Sequence, residues 1–535
     1  MAWSQTFIKA LSAGSVTAKY TLHFFDMPHF AGSSETIRGG FQSSAPLQIS
    51  DEGPTINGCS VVPSTFNVSF GGFSVPLVGD ITTILPSIRK GSVAELRCTI
   101  SGVEERIAVG QLKAITGFSQ RWVLQFNDIL GMMTSRADSR IGDGTNNDPD
   151  HFQWFYNCGC TTTINLAWLQ FAGNFPAAMS VDDVRPFIDN LENGEKGLAK
   201  CVDASGNEFF VEYNSATKLG LTNGTLAMSK IYQTTDKVYP GLNTCTDMAI
   251  GTTVTAVAVL KGKPYDIFGK LLLSVDGNGS DFFDQYPDSW NYGGVLPHDI
   301  YDVGDAKNQD YIKSTDEAAN PYKWNYYIDQ PWSNGIRQFV DVCSRTGQFP
   351  VYRQNAVTWR GAHNPQNTNL LQAIIRDENI IRINKIDLFD RNQTAIFKRI
   401  KIDYGQTSSS NTLSTSSTFV SDMQTIPALS QKVLDLKYVY GYDPTSQQTQ
   451  RKATADGDRN RIFFFYALPS STISLTLPLM YAGLCAGDMI EIRSKYINVF
   501  YDARYGLRGM VIGQSYNIGA QTVSLQVMIQ NQLIN

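Results

Sequence analysis

The sequence predicts a mainly β, multidomain protein, with β-barrel or sandwich modules at its two ends and α+β insertions in mixed middle domains. Three observations carry that expectation: short alternating strands at both ends, a length of 535 residues that exceeds one hydrophobic core, and polarity carried by uncharged residues. Hydrophobic residues make up 42% and aromatics 11%, so there is ample apolar material to bury and global disorder is excluded. Charged residues are only 17%, against about 25% in an average soluble protein. Ser, Thr, Asn, Gln and 44 glycines replace them, a balance that suits turns and uncharged surfaces meeting other subunits.

Net charge is −5 and the pI is near 5.6, which argues against a nucleic-acid binder of this size. No run approaches the roughly 18 consecutive apolar residues needed to span a bilayer. The start, MAWSQTFIK, lacks the basic and apolar regions of a signal peptide, so folding in a cytoplasm is expected. Eight cysteines sit mostly alone in apolar runs; Cys98 and Cys343 read as small buried hydrophobes, and no disulfide framework is implied.

Residues 1–135 form the N-terminal β module. KYTLHFF (19–25), FNVSF (66–70), VAELRCTI (93–100), ERIAVGQL (105–112) and RWVLQF (121–126) are β-rich and separated by turn residues. In the third, Ala94, Leu96, Cys98 and Ile100 share one face and Glu95, Arg97 and Thr99 the other. In the fifth, Trp122, Leu124 and Phe126 alternate with Arg121, Val123 and Gln125. Such period-two patterns mean a sheet packed on one side and wet on the other.

Residues 136–262 form an insertion without readable periodicity, entered through SRIGDGTNNDPDH (139–151), with TTINLAWLQFAG (162–173) expected as a helix. Residues 263–405 form an α+β middle domain. PYDIFGKLLLSV (264–275) reads as a helix with Pro264 in its first turn. In SNGIRQFVDVCSRTGQFPVYRQNAVTWRG (333–361), Ile336, Phe339, Val340 and Cys343 follow the i, i+3, i+4, i+7 rule. Ser333 or Asn334 would cap that helix and Gly347 would end it, before two strands turning at Gln354–Asn355. Residues 406–535 form the C-terminal β domain after a Ser/Thr-rich stretch (406–422) expected as a loop or linker. Its strands are ISLTLPL (473–479), DMIEIRS (488–494), GMVIGQ (509–514) and TVSLQVMI (522–529).

The chemistry-bearing motifs are sparse. The five histidines, His23, His29, His151, His298 and His363, form no HExxH. Cys158-Gly-Cys160, near His151, is half a metal site without its other half. Asp276, Asn278 and Ser280 alternate as calcium ligands would, but Asp281 stands where the loop needs glycine and no glutamate follows at the twelfth position. Glu104–Glu105, placed at a turn, and Glu192 and Glu195 read as solvated surface. No phosphate-binding loop or nucleophile elbow is present. Hence no catalytic, cofactor-binding or metal-binding residue is assigned, and the chain is not expected to be an enzyme. The aromatic clusters WFYN (154–157), YPDSWNYGG (286–294) and PYKWNYY (321–327) fit subunit contacts, or alternatively a sugar-binding groove.

Four passages together resemble the baseplate hub, or tail-tip hub, proteins of tailed bacteriophages and phage-like gene transfer particles. They are RKGSVAELRCTI…ERIAVGQLKAITG…RWVLQFNDIL (89–130), PYDIFGKLLLS (264–274), the helix and strands of 333–361, and LPLMYAGLCAGDMIEIRS…GLRGMVIGQS…QTVSLQVMI with its Gly487–Asp488 turn. The resemblance implies tail-tube-like β modules and a homotrimeric ring at the distal end of the tail. Its partners would be the distal tail protein ring, the tape-measure protein and a central spike or fibre, in a virion assembled in the host cytoplasm. Genomic DNA would pass through the lumen without specific binding, past acidic or neutral residues. The alternatives are a glycan- or cell-wall-acting tail enzyme and a non-catalytic carbohydrate- or receptor-binding adhesin.

Overall fold

In the computed structural model the described residues are 3–11, 17–24, 36–39, 47–62, 65–85, 88, 90–131, 335–353, 356–362, 371–388, 470–497 and 506–530, with short stretches within 263–268 and 456–465 and backbone strands between 161 and 437. Helix α1 (Gln5–Leu11) is followed by β1 (Ala18–Phe24), β2 (Thr36–Gly39), β3 (Leu47–Ile49), β4 (Thr55–Asn57), β5 (Ser60–Val62), β6 (Asn67–Ser69), β7 (Gly72–Gly79), β8 (Val93–Ile100), β9 (Val103–Phe118) and β10 (Arg121–Asp128). Seven of these, in the order β10-β9-β8-β1-β2-β3-β7, close into a barrel because β10 pairs with both β9 and β7. Closure leaves none of the seven as a free end of the ribbon, which removes the aggregation hazard of an open sheet. Of the barrel-or-sandwich choice, the N-terminal module takes the barrel. FNVSF stays outside it, since β6 pairs with β5 alone in a two-stranded ribbon.

Alternation fills the barrel. Leu22, Val75, Leu96, Cys98, Ile107 and Leu124 are buried, and the Phe73 and Phe126 rings stack at 4.4 Å between centroids. Each such side chain contributes about 1.5–3 kcal/mol on leaving water. Ser4 starts α1, with its hydroxyl accepting from Phe7 N–H at 3.2 Å, and the helix buries Phe7 and Leu11.

The insertion contains β11 (Thr161–Thr163), β12 (Gly197–Val202), β13 (Glu208–Lys218), β14 (Gly224–Gln233) and β15 (Thr253–Gly262), which join β16 (Trp324–Ile328) in a six-stranded antiparallel sheet. Thr162 and Thr163, expected in a helix, are therefore extended; 164–173 lie outside the described residues. The 264–275 helix is described only around Pro264–Phe268, where Tyr265, Ile267 and Phe268 are buried.

Helix α2 (Gly335–Ser344) and the hairpin β17 (Gln348–Arg353) and β18 (Ala356–Gly361) match the predicted unit. Phe339, Val340 and Cys343 are buried, Phe339 lies 6.0 Å from Trp359, and Gly347 has φ +74°. The predicted caps Ser333 and Asn334 and the Gln354–Asn355 turn lie outside the described residues. Strands β19 (Leu371–Arg376) and β20 (Arg382–Asp387) follow, then β21 (Arg399–Asp403), β22 (Ser417–Val420) and β23 (Val433–Lys437), which form a three-stranded sheet. The Ser/Thr-rich stretch is thus not all loop: β22 pairs with β21, because Thr and Val favour extended backbone.

The C-terminal strands β24 (Ser470–Pro478), β25 (Met489–Arg493), β26 (Leu507–Asn517) and β27 (Thr522–Gln530) pair in the order β25-β26-β27-β24, flanked by β19 on β25 and β20 on β24. β4 bridges β7 to β26, so the two β-rich ends share one 14-stranded sheet and one apolar core.

Candidate assembly surface

Each end of the chain contains the same four-strand unit. In the first copy β7 leads through a short 3-10 turn (Ile81–Thr83) to β8, β9 and β10; in the second, β24 leads through Leu479–Tyr481 to β25, β26 and β27. In both, the first strand pairs with the fourth, the fourth with the third and the third with the second. The likeness extends to single hydrogen bonds. Gly91 and Gly487, at φ +102° and +92°, each donate to the third strand, at Leu112 O and Val511 O, both at 2.8 Å. Those residues donate back to Ser92 O at 2.7 Å and Asp488 O at 2.9 Å. The next residue on the third strand is a bulge in each copy: the pairing steps from Leu112↔Phe126 to Ala114↔Gln125, and from Val511↔Val527 to Gly513↔Gln526.

The register also superposes one charged pair. Glu95 and Arg97 on β8 match Glu491 and Arg493 on β25. Residues i and i+2 of a strand share a face, so each glutamate meets the arginine that follows it. Both glutamates are 3% exposed. Glu95 accepts from Arg97 Nε, and Arg97 reaches Glu104 at 2.9 Å. Glu491 accepts from Arg493 Nε at 2.6 Å and from Arg508 Nε at 3.0 Å. Burial would raise the Glu491 carboxyl, but these two guanidinium groups outweigh it and hold the group below the usual range. Glu95, expected on the wet face, is buried there in an ion pair with Arg97.

The outer wall of the barrel around this pair carries a polar depression of about 560 Å³ lined by Lys19, Thr21, His23, Arg38, Arg97 and Glu104 among others. His23 is the one predicted histidine within the described residues; His29, His151, His298 and His363 lie outside them. So do Cys158, Cys160, Asp276, Asn278, Ser280, Asp281, Glu192, Glu195 and the clusters 154–157 and 286–294. Trp324–Ile328, from the third aromatic cluster, is strand β16. Glu104 and Glu105 are not in a turn: Ser101 and Gly102 make it with positive φ, and both glutamates belong to β9. Glu104 is exposed, and Glu105 accepts from Ser4 N–H at 3.1 Å. Cys98 and Cys343 are free and buried as expected. Among the described residues no group of three His, Cys, Asp or Glu could hold a metal ion, and no helix is long and apolar enough to cross a membrane.

The two copies are fused by a short joint. β4 pairs antiparallel with the end of β26, Asn57 opposite Ser515, Ile56 opposite Tyr516 and Thr55 opposite Asn517. Gly58 N–H donates to Gln514 O at 2.9 Å, and Asn517 Nδ2 to Thr55 Oγ1 at 3.1 Å. Trp3 covers it edge-on, 5.8 Å from the Tyr516 ring. The repeat escapes a reading for short periods, yet its signal is legible: Gly91-Ser-Val-Ala-Glu-Leu-Arg97 recurs as Gly487-Asp-Met-Ile-Glu-Ile-Arg493.

No family model and no curated protein matches the chain. Among solved structures it is similar to the tail protein from Neisseria meningitidis MC58, at 8% identity and TM-score 0.33, covering 96% of this chain and 97% of that one. It is similar to the 43 kDa tail protein of prophage MuSo2 from Shewanella oneidensis, at 8% identity and TM-score 0.37, covering 96% and 98%. It is also similar to prophage tail protein gp18 from Listeria monocytogenes EGD-e, at 8% identity and TM-score 0.34, covering 97% and 96%. All three are loose likenesses.

Proposed function

We propose that this chain is a structural protein of a phage tail, a baseplate or tail-tip hub that assembles as a homotrimeric ring and carries no catalytic activity. The observation that supports this reading is the duplicated four-strand unit: two equivalent modules per chain turn three chains into six similar positions, matching a sixfold tube above. The ring would continue the tube, contacting the distal tail protein ring above, the tape-measure protein within and a spike or fibre below. A shared apolar core makes each chain a stiff block, as transmission of mechanical load requires. The lumen would present acidic or neutral residues, so that DNA passes without phosphate contacts holding it. Light scattering of the purified full-length chain, alone and with its tail partners, tests the reading. Three copies per particle are expected; a monomer under both conditions, or release of sugars from cell wall by the purified chain, would overturn it.

A further inference from the structure

The joint between the two copies has two halves, and each half recurs at the other end of the chain without its counterpart. One half is the end of the third strand. On β26, Gln514–Asn517 bond to β4 and Gly58 along the edge away from β27. The matching stretch of β9 is Ile115–Phe118, since Phe118 faces Arg121 as Asn517 faces Thr522. Along that edge β9 bonds to β8 and the turn before it only as far as Leu112; among the described residues no strand continues the pairing to Phe118. Burial follows the difference. Tyr516 is 6% exposed, whereas Gly117 is exposed and Phe118 is 80% exposed.

The other half is the strand that enters the joint. β4 lies on the first strand of its unit with Ile56 opposite Phe73 and Asn57 opposite Gly72. β20 lies on the first strand of the second unit in the same register, Ile386 opposite Ile473 and Asp387 opposite Thr472. The outer edge of β4 is taken by β26, while β20 ends the strand order of the sheet among the described residues. An exposed strand edge is a template for another strand, and here donor and acceptor edges sit toward opposite ends of one sheet.

We propose that β20 of one copy pairs antiparallel with Ile115–Phe118 of β9 in the next, Ile386 opposite Gly117 and Asp387 opposite Thr116. The contact reproduces between chains the joint that β4 and β26 make within one. It is head-to-tail, the kind of interface that closes into a ring. The number of copies rests on the ring function proposed above; the contact itself rests on the repeat. Gly117 stands where the internal joint has Tyr516, and a side chain there would meet the Arg121 carbonyl of β10.

Cysteine cross-linking tests it. Ile56 and Tyr516 form the hydrogen-bonded pair, as Gly58 N–H bonding to Gln514 O requires, so Asn57 and Ser515 form a non-hydrogen-bonded pair. Such pairs bring Cα atoms to about 4.5 Å, within disulfide range. Their counterparts are Asp387 and Thr116. The full-length Thr116→Cys/Asp387→Cys variant, oxidised with glutathione disulfide, is expected to give a ladder of reducible multimers on a denaturing gel. Mixing the two single variants should give a covalent dimer and nothing larger, and neither single variant alone should cross-link beyond the unsubstituted chain. Self-linking of either single variant would overturn the head-to-tail pairing. An oligomer by light scattering that fails to cross-link would overturn the joint while leaving the ring standing. A monomer that fails to cross-link would overturn both.

Discussion

Arg360 Nε donates to Asp488 Oδ1 at 2.9 Å, and both side chains are 0% exposed. The pair locks the β17–β18 hairpin to the turn that leads into β25, the second strand of the second copy. Asp488 is held in turn by Cys485, whose N–H donates to Oδ2 at 2.9 Å. Arg353 adds a second clamp, donating to Gly483 O at 2.6 Å. Removing one partner strands a charge without water. Asp488→Ala is expected to cost about 3–5 kcal/mol, whereas Arg360→Met with Asp488→Leu should recover much of that loss. Denaturant midpoints of the three chains check this; a double variant as unstable as the single one would refute it.

The two glycines of the repeat should respond differently to the same change. Both need positive φ, so an alanine at Gly91 meets backbone strain of about 1–2 kcal/mol, its nearest neighbour being 3.9 Å from the new methyl. At Gly487 the methyl would also sit 2.6 Å from Arg360 Cβ. Gly487→Ala is therefore expected to cost about 2–4 kcal/mol, adding overpacking to strain. Equal losses in thermal unfolding would refute the difference.

Asp128 gives stability an unusual pH slope. Burial pushes its carboxyl from 3.8 up to about 6, against hydrogen bonds from the N–H groups of Gly131, Gly71 and Leu130. A pKa raised on folding contributes stability below the unfolded value and loses it as pH rises through the folded one. From pH 4 to 6 this one group should withdraw about 2 kcal/mol. The difference in unfolding free energy between Asp128→Asn and the unsubstituted chain should shift by that amount across the window. A difference flat with pH would count against it.

Glu491 carries the opposite slope. Its carboxyl is held below 4.5 by Arg493 and Arg508, so its contribution is present above that value and lost as pH falls through the folded pKa. Glu491→Gln is expected to cost about 1–3 kcal/mol at neutral pH, and the gap should close in acid. Unfolding curves at several pH values measure it; a gap that widened in acid would be the contrary result.

Strands of both ends were legible because period-two alternation records which side of a sheet meets water. VAELRCTI and TVSLQVMI are β8 and β27 almost to the residue. The α2 unit was legible for a similar reason: its helix stripe, Gly347 and two apolar strands are local signals. Glu95 misled because a strand pattern assigns a face and not a degree of burial; its carboxylate is buried in a pair with Arg97. Thr162 and Thr163 misled because an apolar run after them fits a helix, whereas pairing with β15 makes them extended.

Local pattern, in short, was enough for the β class, the positions of most strands at the ends and the left-handed Gly347, because each depends on a residue and its near neighbours. The closing of the barrel by β10 on β7, the burial of Arg360 against Asp488 and the fusion of the two units through β4 and β26 depend on partners far apart in the chain. No single stretch carries those partnerships: a strand presents the same backbone donors and acceptors to any neighbour, and folding in three dimensions selects which neighbour arrives.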